Sequence, residues 1–114
     1  MAESRLLPSD PLDFVMRCVR SGSLLWTHHV NMRFGVRRVT RDMILGAVDT
    51  FEIIEAYPDD KYLPSYLVRG EHPDGVFHVL FAADVAGDNV RVVTAYLPDA
   101  SKWDAEFRQR RQRT

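Results

Sequence analysis

The spacing of apolar positions divides the chain into a helical first part and a strand-rich second part. Leu12, Val15, Met16 and Val19 recur at helical spacing, which predicts one apolar stripe on a first helix. Ser9 or Asp10 stands at its N-cap, Pro11 and Asp13 suit its first turn, and Gly22 suits the residue that ends it. Leu24, Leu25 and Trp26 form a short apolar entry to Thr27, the N-cap of a second helix over residues 28–36 that Gly35 weakens. Thr40 repeats the device for a third helix, which begins at Arg41 and Asp42 and carries Met43, Ile44, Ala47 and Val48 on its apolar stripe.

From Phe51 onward the period becomes that of strands. Residues 51–57, 65–71, 76–84 and 90–97 are rich in β-branched and aromatic side chains. Between them lie Pro58, Asp59 and Asp60, then Pro73, Asp74 and Gly75, then Gly87, Asp88 and Asn89. Turn residues in short connections predict antiparallel neighbours. After Pro98, residues 99–113 are expected to form a terminal helix anchored by Trp103 and Phe107, with a frayed basic end. The fold class is therefore α+β: N-terminal helices, a four-stranded antiparallel sheet and a short C-terminal helix. Residues 1–23 read as a helical extension, 24–107 as a single α+β domain and 108–114 as a basic tail.

Turn positions suggest a register. With Pro73 and Asp74 at the tip of the central hairpin, His78 lies opposite Arg69 and Phe77 opposite Gly70. With Gly87 central to the next turn, Leu80 faces Thr94 and His78 faces Tyr96. Tyr66, Val68, Phe77, Val79, Phe81, Ala83, Val93, Ala95 and Leu97 then share an apolar face, and Arg69, His78, Thr94 and Tyr96 share the other. A slip of one residue would carry the polar group into the apolar layer, so burial favours this pairing.

Composition narrows the classes. A chain of 114 residues with 46% hydrophobic and 27% charged positions fits one globular domain and not a disordered segment. Cys18 stands alone, so no internal disulfide and no Cys/His zinc knuckle is expected. No apolar run approaches the ~20 residues needed to span a bilayer, and the first residues lack a secretion-signal core. The expectation is a cytoplasmic protein without a membrane partner. A net charge of -1 conceals asymmetry, because residues 1–41 and 108–114 are basic and residues 42–107 acidic. Screening confines charge effects to about 10 Å, so a local basic surface can still take phosphate.

The candidate chemistry sits in two places. His29, Arg33 and Arg37 are spaced four residues apart and form one helical stripe, flanked by Val30 and Phe34 on one side and Met32 and Val36 on the other. Apolar flanks turn such a stripe inward or into a cleft, where arginines need an anion. Phosphate suits the paired donors of guanidinium; internal carboxylates such as Glu52, Glu55 and Glu71 are the alternative partners. The second place is the polar sheet face of Arg69, His78, Thr94 and Tyr96, for which plain half-exposed sheet residues are the alternative. Adjacent His28 and His29 diverge by about 100° on a helix and make no metal pair. No metal or cofactor is expected, since no phosphate loop, dinucleotide fingerprint, nucleophile elbow or zinc-protease motif is present.

In order along the chain stand Trp26-Thr27-His28-His29 with Arg33 and Arg37, Val39-Thr40-Arg41-Asp42-Met43, Tyr66-Leu67-Val68, Phe77-His78-Val79, and Val92 to Asp99 with Trp103. Together these resemble the domain-of-unknown-function family 4258 over roughly residues 24–110. The resemblance implies a fold related to the barnase, EndoU, colicin and RelE-type nucleases, with the active site on an open sheet face. It also implies likeness to small bacterial toxins paired with a zinc-finger antitoxin. By position, the family's polar residues fall on His29, Arg33, Arg37, His78, Thr94 and Tyr96.

Three readings follow. In the first, the protein is a metal-independent endoribonuclease acting through the RNA 2′-hydroxyl. One of His29 and His78 removes the 2′-hydroxyl proton and the other protonates the leaving oxygen, Arg33 and Arg37 stabilise the phosphorane, Arg69 and Thr94 bind phosphate, and Tyr96 orients it or stacks on a base. In the second, the same residues bind RNA or a protein partner without chemistry. In the third, His29, Arg33 and Arg37 form a structural network with the acidic residues. The acidic balance weighs against a free nuclease and leaves enzyme against binder open.

Overall fold

The computed structural model describes residues 6–26, 39–73 and 75–111. The first helix, α1, is Pro11–Ser21. Asp10, not Ser9, caps it: its carboxylate accepts the Asp13 N–H at 3.0 Å. At the other end Gly22 takes the left-handed conformation, φ 82°, and closes the last turn on the carbonyls of Cys18 and Val19. Thr40 caps the second described helix, α2, Arg41–Gly46, by accepting the Met43 N–H at 3.1 Å, and a 3₁₀ turn, Val48–Thr50, leads into the sheet. The helix expected over residues 28–36, with its Thr27 cap, lies outside the described residues.

Among the described residues, five strands form one mixed sheet: β1 Leu24–Trp26, β2 Glu52–Tyr57, β3 Ser65–His72, β4 Gly75–Asp84 and β5 Asn89–Tyr96, in the order β1-β5-β4-β3-β2. The expected antiparallel set of four is thus present, but incomplete. The apolar entry Leu24 to Trp26 is itself an edge strand, paired in parallel with β5 so that Leu24 meets Val90 and Trp26 meets Val92. Three residues are too few to show a period of two, which is why the pattern conceals it.

The expected terminal helix does not form. Residues 99–111 run as successive turns closed by a bridge between Trp103 and Arg110. Asp99 Oδ1 accepts the Ser101 N–H, and Asp104 Oδ1 accepts the N–H groups of Glu106 and Arg108. These aspartates offer the backbone local partners that compete with helical hydrogen bonds.

The register is the expected one through the centre, with Arg69 opposite His78, Gly70 opposite Phe77, Leu80 opposite Thr94 and His78 opposite Tyr96. Phe77 lies across Gly70 so closely that a Cβ there would stand 2.6 Å from its ring, which explains a glycine inside a central strand. Two bulges modify β2 and β5. One falls between Ile53 and Glu55, the other opposite Leu80 and Phe81, where Phe81 pairs with Val92 and leaves Val93 unpaired. Val93 is therefore 37% exposed, not part of the apolar face; Val90 and Val92 take its place.

Among the described residues, the helices α1 and α2 pack on one side of the sheet. Phe14, Val15, Cys18 and Val19 of α1 and Met43 and Ile44 of α2 share a single core with Val68, Phe77, Val79, Phe81 and Val92. Helix α1, read as an extension, is built into this core. Burial pushes the Cys18 thiol pKa up, so it behaves as an apolar group. The other side of the sheet is polar, and there residues 99–111 lie.

Candidate functional site

Strand alternation places Arg69 and Leu67 of β3, His78 and Leu80 of β4, and Thr94 and Tyr96 of β5 on the polar side. The β2 bulge at Ile54 adds Glu52 opposite Arg69 and Glu55 opposite Leu67. Without the extra residue, Glu52 and Glu55 would point to opposite faces. The bulge brings both carboxylates to the site.

His78 is fully buried, 0% exposed. Its Nε2 lies 2.8 Å from the Phe107 carbonyl and its Nδ1 3.2 Å from the Tyr96 hydroxyl. A carbonyl only accepts, so Nε2 carries the proton and Nδ1 accepts from Tyr96. Trp103, 2% exposed, roofs the ring in an edge-on contact with centroids 4.4 Å apart, and Tyr96 makes a second such contact at 5.2 Å. Burial lowers the His78 pKa, with the Arg69 guanidinium adding to the effect, against the opposing pull of the Phe107 carbonyl and Glu55. Burial likewise raises the Tyr96 phenol.

This arrangement sets an acid-side dependence of stability. The folded state favours neutral His78, whereas in the unfolded chain the ring protonates near its ordinary value of about 6.5. The unfolded state therefore binds more protons as pH falls below that value, and stability is lost with it. Thermal melts are expected to show a lower Tm at pH 5.5 than at pH 7.5, with a shallower slope in His78→Gln; an equal slope in both chains would contradict the assignment.

Arg69, 4% exposed, is buried beside His78. Its Nε donates to the Glu106 carbonyl at 2.7 Å and its Nη2 to Glu71 at 3.4 Å, whereas Nη1 has no hydrogen-bond partner among the described residues. Thus Arg69 and His78, paired across two strands, both donate to consecutive carbonyls of one segment.

Beside this covered pair lies an open pocket of about 340 Å³, lined by the apolar Leu67 and Leu80 and by Glu55, Tyr57, Asp60, Thr94, Tyr96 and Arg110. Arg110 holds Glu55 through two bonds, 2.7 and 3.1 Å, and the Tyr57 hydroxyl donates to the same carboxylate. Burial alone would raise the Glu55 pKa, but the hydrogen bonds from Arg110 and Tyr57 outweigh it and hold the carboxyl below its usual range. Arg108 lowers Glu52 in the same way through bonds of 2.8 and 2.9 Å. The tail arginines expected to be frayed are thus paired with β2 in Arg108 and Arg110.

Of the residues picked out by sequence, the structure brings together Arg69, His78, Thr94 and Tyr96. His29, Arg33 and Arg37 lie outside the described residues. Glu55, Tyr57, Trp103 and Arg110 complete the site; sequence reasoning assigned Glu55 only as an internal ion-pair partner and Trp103 only as a helix anchor. Among the described residues, no group of three or more His, Cys, Asp or Glu side chains is placed to hold a metal ion, and no helix is long and apolar enough to cross a membrane.

Fold and site define an α+β domain with helices on one side of a mixed sheet and a polar, aromatic-edged face on the other. The chain matches the family model described as Domain of unknown function (DUF4258) over residues 26–97 and belongs to that family. Nothing among the curated proteins or the solved structures matches it. The matched span ends at Leu97, so the segment lying over His78 is outside it.

Proposed function

We propose that this domain binds single-stranded RNA across the polar sheet face and cleaves it as a metal-independent endoribonuclease of the toxin–antitoxin type. The observation that carries the reading is the open pocket lined by Tyr57 and Tyr96, by the apolar Leu67 and Leu80, and by Thr94. Aromatic side chains beside an apolar lining suit an unstacked base, the form in which proteins read single-stranded RNA.

In the cleavage step the 2′-hydroxyl gives up its proton as its oxygen bonds to phosphorus. The bond from phosphorus to the 5′-oxygen breaks, and that oxygen takes a proton, leaving a 2′,3′-cyclic phosphate and a 5′-hydroxyl. His29 is assigned one proton transfer. His78 serves the other end through the Tyr96 hydroxyl that it orients. Arg33, Arg37 and Arg69 stabilise the phosphorane charge, and Thr94 orients the phosphate. The toxin role, drawn from the family resemblance, brings an antitoxin of zinc-finger type as protein partner. Complete burial of His78 favours a second reading, RNA binding without cleavage.

Binding is tested with a fluorescent oligonucleotide carrying 2′-O-methyl groups, which block the attack. Tyr57, which lines the pocket, is 41% exposed. Tyr57→Ala should weaken binding roughly 5- to 150-fold, the ~1–3 kcal/mol of one base–aromatic stack. Unchanged affinity would remove the pocket from the RNA surface.

A further inference from the structure

Part of the polar face is covered, and the chain itself covers it. Arg69 and His78 are buried side by side, each with a hydrogen-bond donor aimed at the same 13-residue strap, residues 99–111. Consecutive carbonyls, those of Glu106 and Phe107, receive Arg69 Nε–H at 2.7 Å and His78 Nε2–H at 2.8 Å. Phe107 adopts φ 60°, a left-handed conformation that a bulky residue takes only under constraint. Among the described residues Arg69 has one carboxylate partner, the exposed Glu71 at a long 3.4 Å; the Glu106 carbonyl is a modest partner for a guanidinium, which bonds more strongly to oxyanions. These partners also leave the buried Nη1 of Arg69 unsatisfied among the described residues, and such an orphaned donor carries a cost that an anion's oxygen would remove.

The fastening of the strap is of a releasable kind. Trp103 is its one fully buried anchor, and Arg110 lies over that indole, 4.6 Å from the ring centroid. Besides the two hydrogen bonds from Arg69 and His78, it is held by ion pairs at its rim, Arg108 to Glu52 and Arg110 to Glu55. Partly exposed pairs of this sort contribute little and weaken with salt.

We infer that Arg69 and His78 form a phosphodiester site, and that the strap occupies it as a built-in substitute whose Glu106 and Phe107 carbonyls hold the positions of the non-bridging phosphate oxygens. The inference rests on the RNA reading of this face and adds to it a closed state. RNA first meets the open Tyr57–Tyr96 pocket. Its phosphate then displaces the strap and takes over the donors of Arg69 and His78.

Arg108→Ala/Arg110→Ala in the full chain separates this account from the simpler one, in which these arginines grip the RNA backbone. The latter predicts weaker binding when two positive charges are removed. Strap release predicts the opposite: the double variant should bind a 2′-O-methyl oligonucleotide about tenfold more tightly than the wild type. Amides 104–111 should also exchange faster in the variant, and faster in the wild type when inorganic phosphate is added. Weaker or unchanged RNA binding in the variant, with exchange of the strap unaffected by phosphate, overturns the inference and leaves the RNA reading standing. If neither chain binds RNA but phosphate still speeds strap exchange, the covered anion site is supported and the RNA reading fails. If neither RNA nor phosphate has any effect, both fall.

Discussion

Trp103→Ala is expected to detach residues 99–111 from the sheet while the five strands remain folded. The indole is nearly inaccessible, packs edge-on against His78 and carries Arg110 over its face. Truncating a buried Trp costs about 3–5 kcal/mol. The remaining fastenings of the strap are partly exposed ion pairs, worth little each, and the two hydrogen bonds from Arg69 and His78 to the Glu106 and Phe107 carbonyls, each worth about 0.5–3 kcal/mol net, so loss of the indole removes the largest single contribution. Local opening then limits the cost to the rest of the fold. Amide exchange reads this directly. The Asp104, Phe107 and Arg111 amides, now bonded to Gln109, Asp104 and Lys102, should lose protection, while the amides paired between β3 and β4 keep theirs. Simultaneous loss in both places would show that the strap is integral to the fold and not an occupant of the site.

The second large effect concerns chemistry. His29→Ala should lower RNA cleavage by about 10²- to 10⁴-fold, the usual contribution of a general acid or base, with no change in Tm. Tyr96→Phe should fall in the same direction, because it keeps the ring but removes the hydroxyl that joins the pocket to His78 Nδ1. Cleavage rates in each variant at matched pH, alongside melting curves, check both. Loss of rate accompanied by an equal loss of folded protein would return His29 to the structural role in which it serves the acidic residues.

Much of the central sheet was legible because burial leaves little choice. Moving β4 by one residue would put His78 beside Val68 and Val92 in the core, so the pairings Arg69–His78 and His78–Tyr96 follow from turn positions and alternation together. The misses have equally local causes. Both bulges occur at doubled apolar residues, Ile53-Ile54 and Val92-Val93, inside otherwise alternating strands. That doubling was a readable signal of an inserted residue, and at β2 it decides that Glu52 and Glu55 face the site. β1 is too short for a pattern to exist. The strap was misread as a helix because Trp103 and Phe107 stand four apart, whereas Asp99 and Asp104 capture the backbone N–H groups in turns. Its destination on the polar face depends on contacts with residues more than thirty positions away in sequence, such as Arg69 with Glu106. A reading of local spacing has no access to these.

On the proposed reading, this sheet face cleaves RNA by attack of the RNA's own 2′-hydroxyl. The most direct measurement is to incubate the purified chain with mixed-sequence RNA in excess EDTA, beside the His29→Ala/His78→Ala double variant, and to identify the new ends. Fragments ending in 2′,3′-cyclic phosphate from the wild type alone are the predicted result. Intact RNA that nevertheless binds to the wild type would contradict cleavage and leave a binding module on the same face.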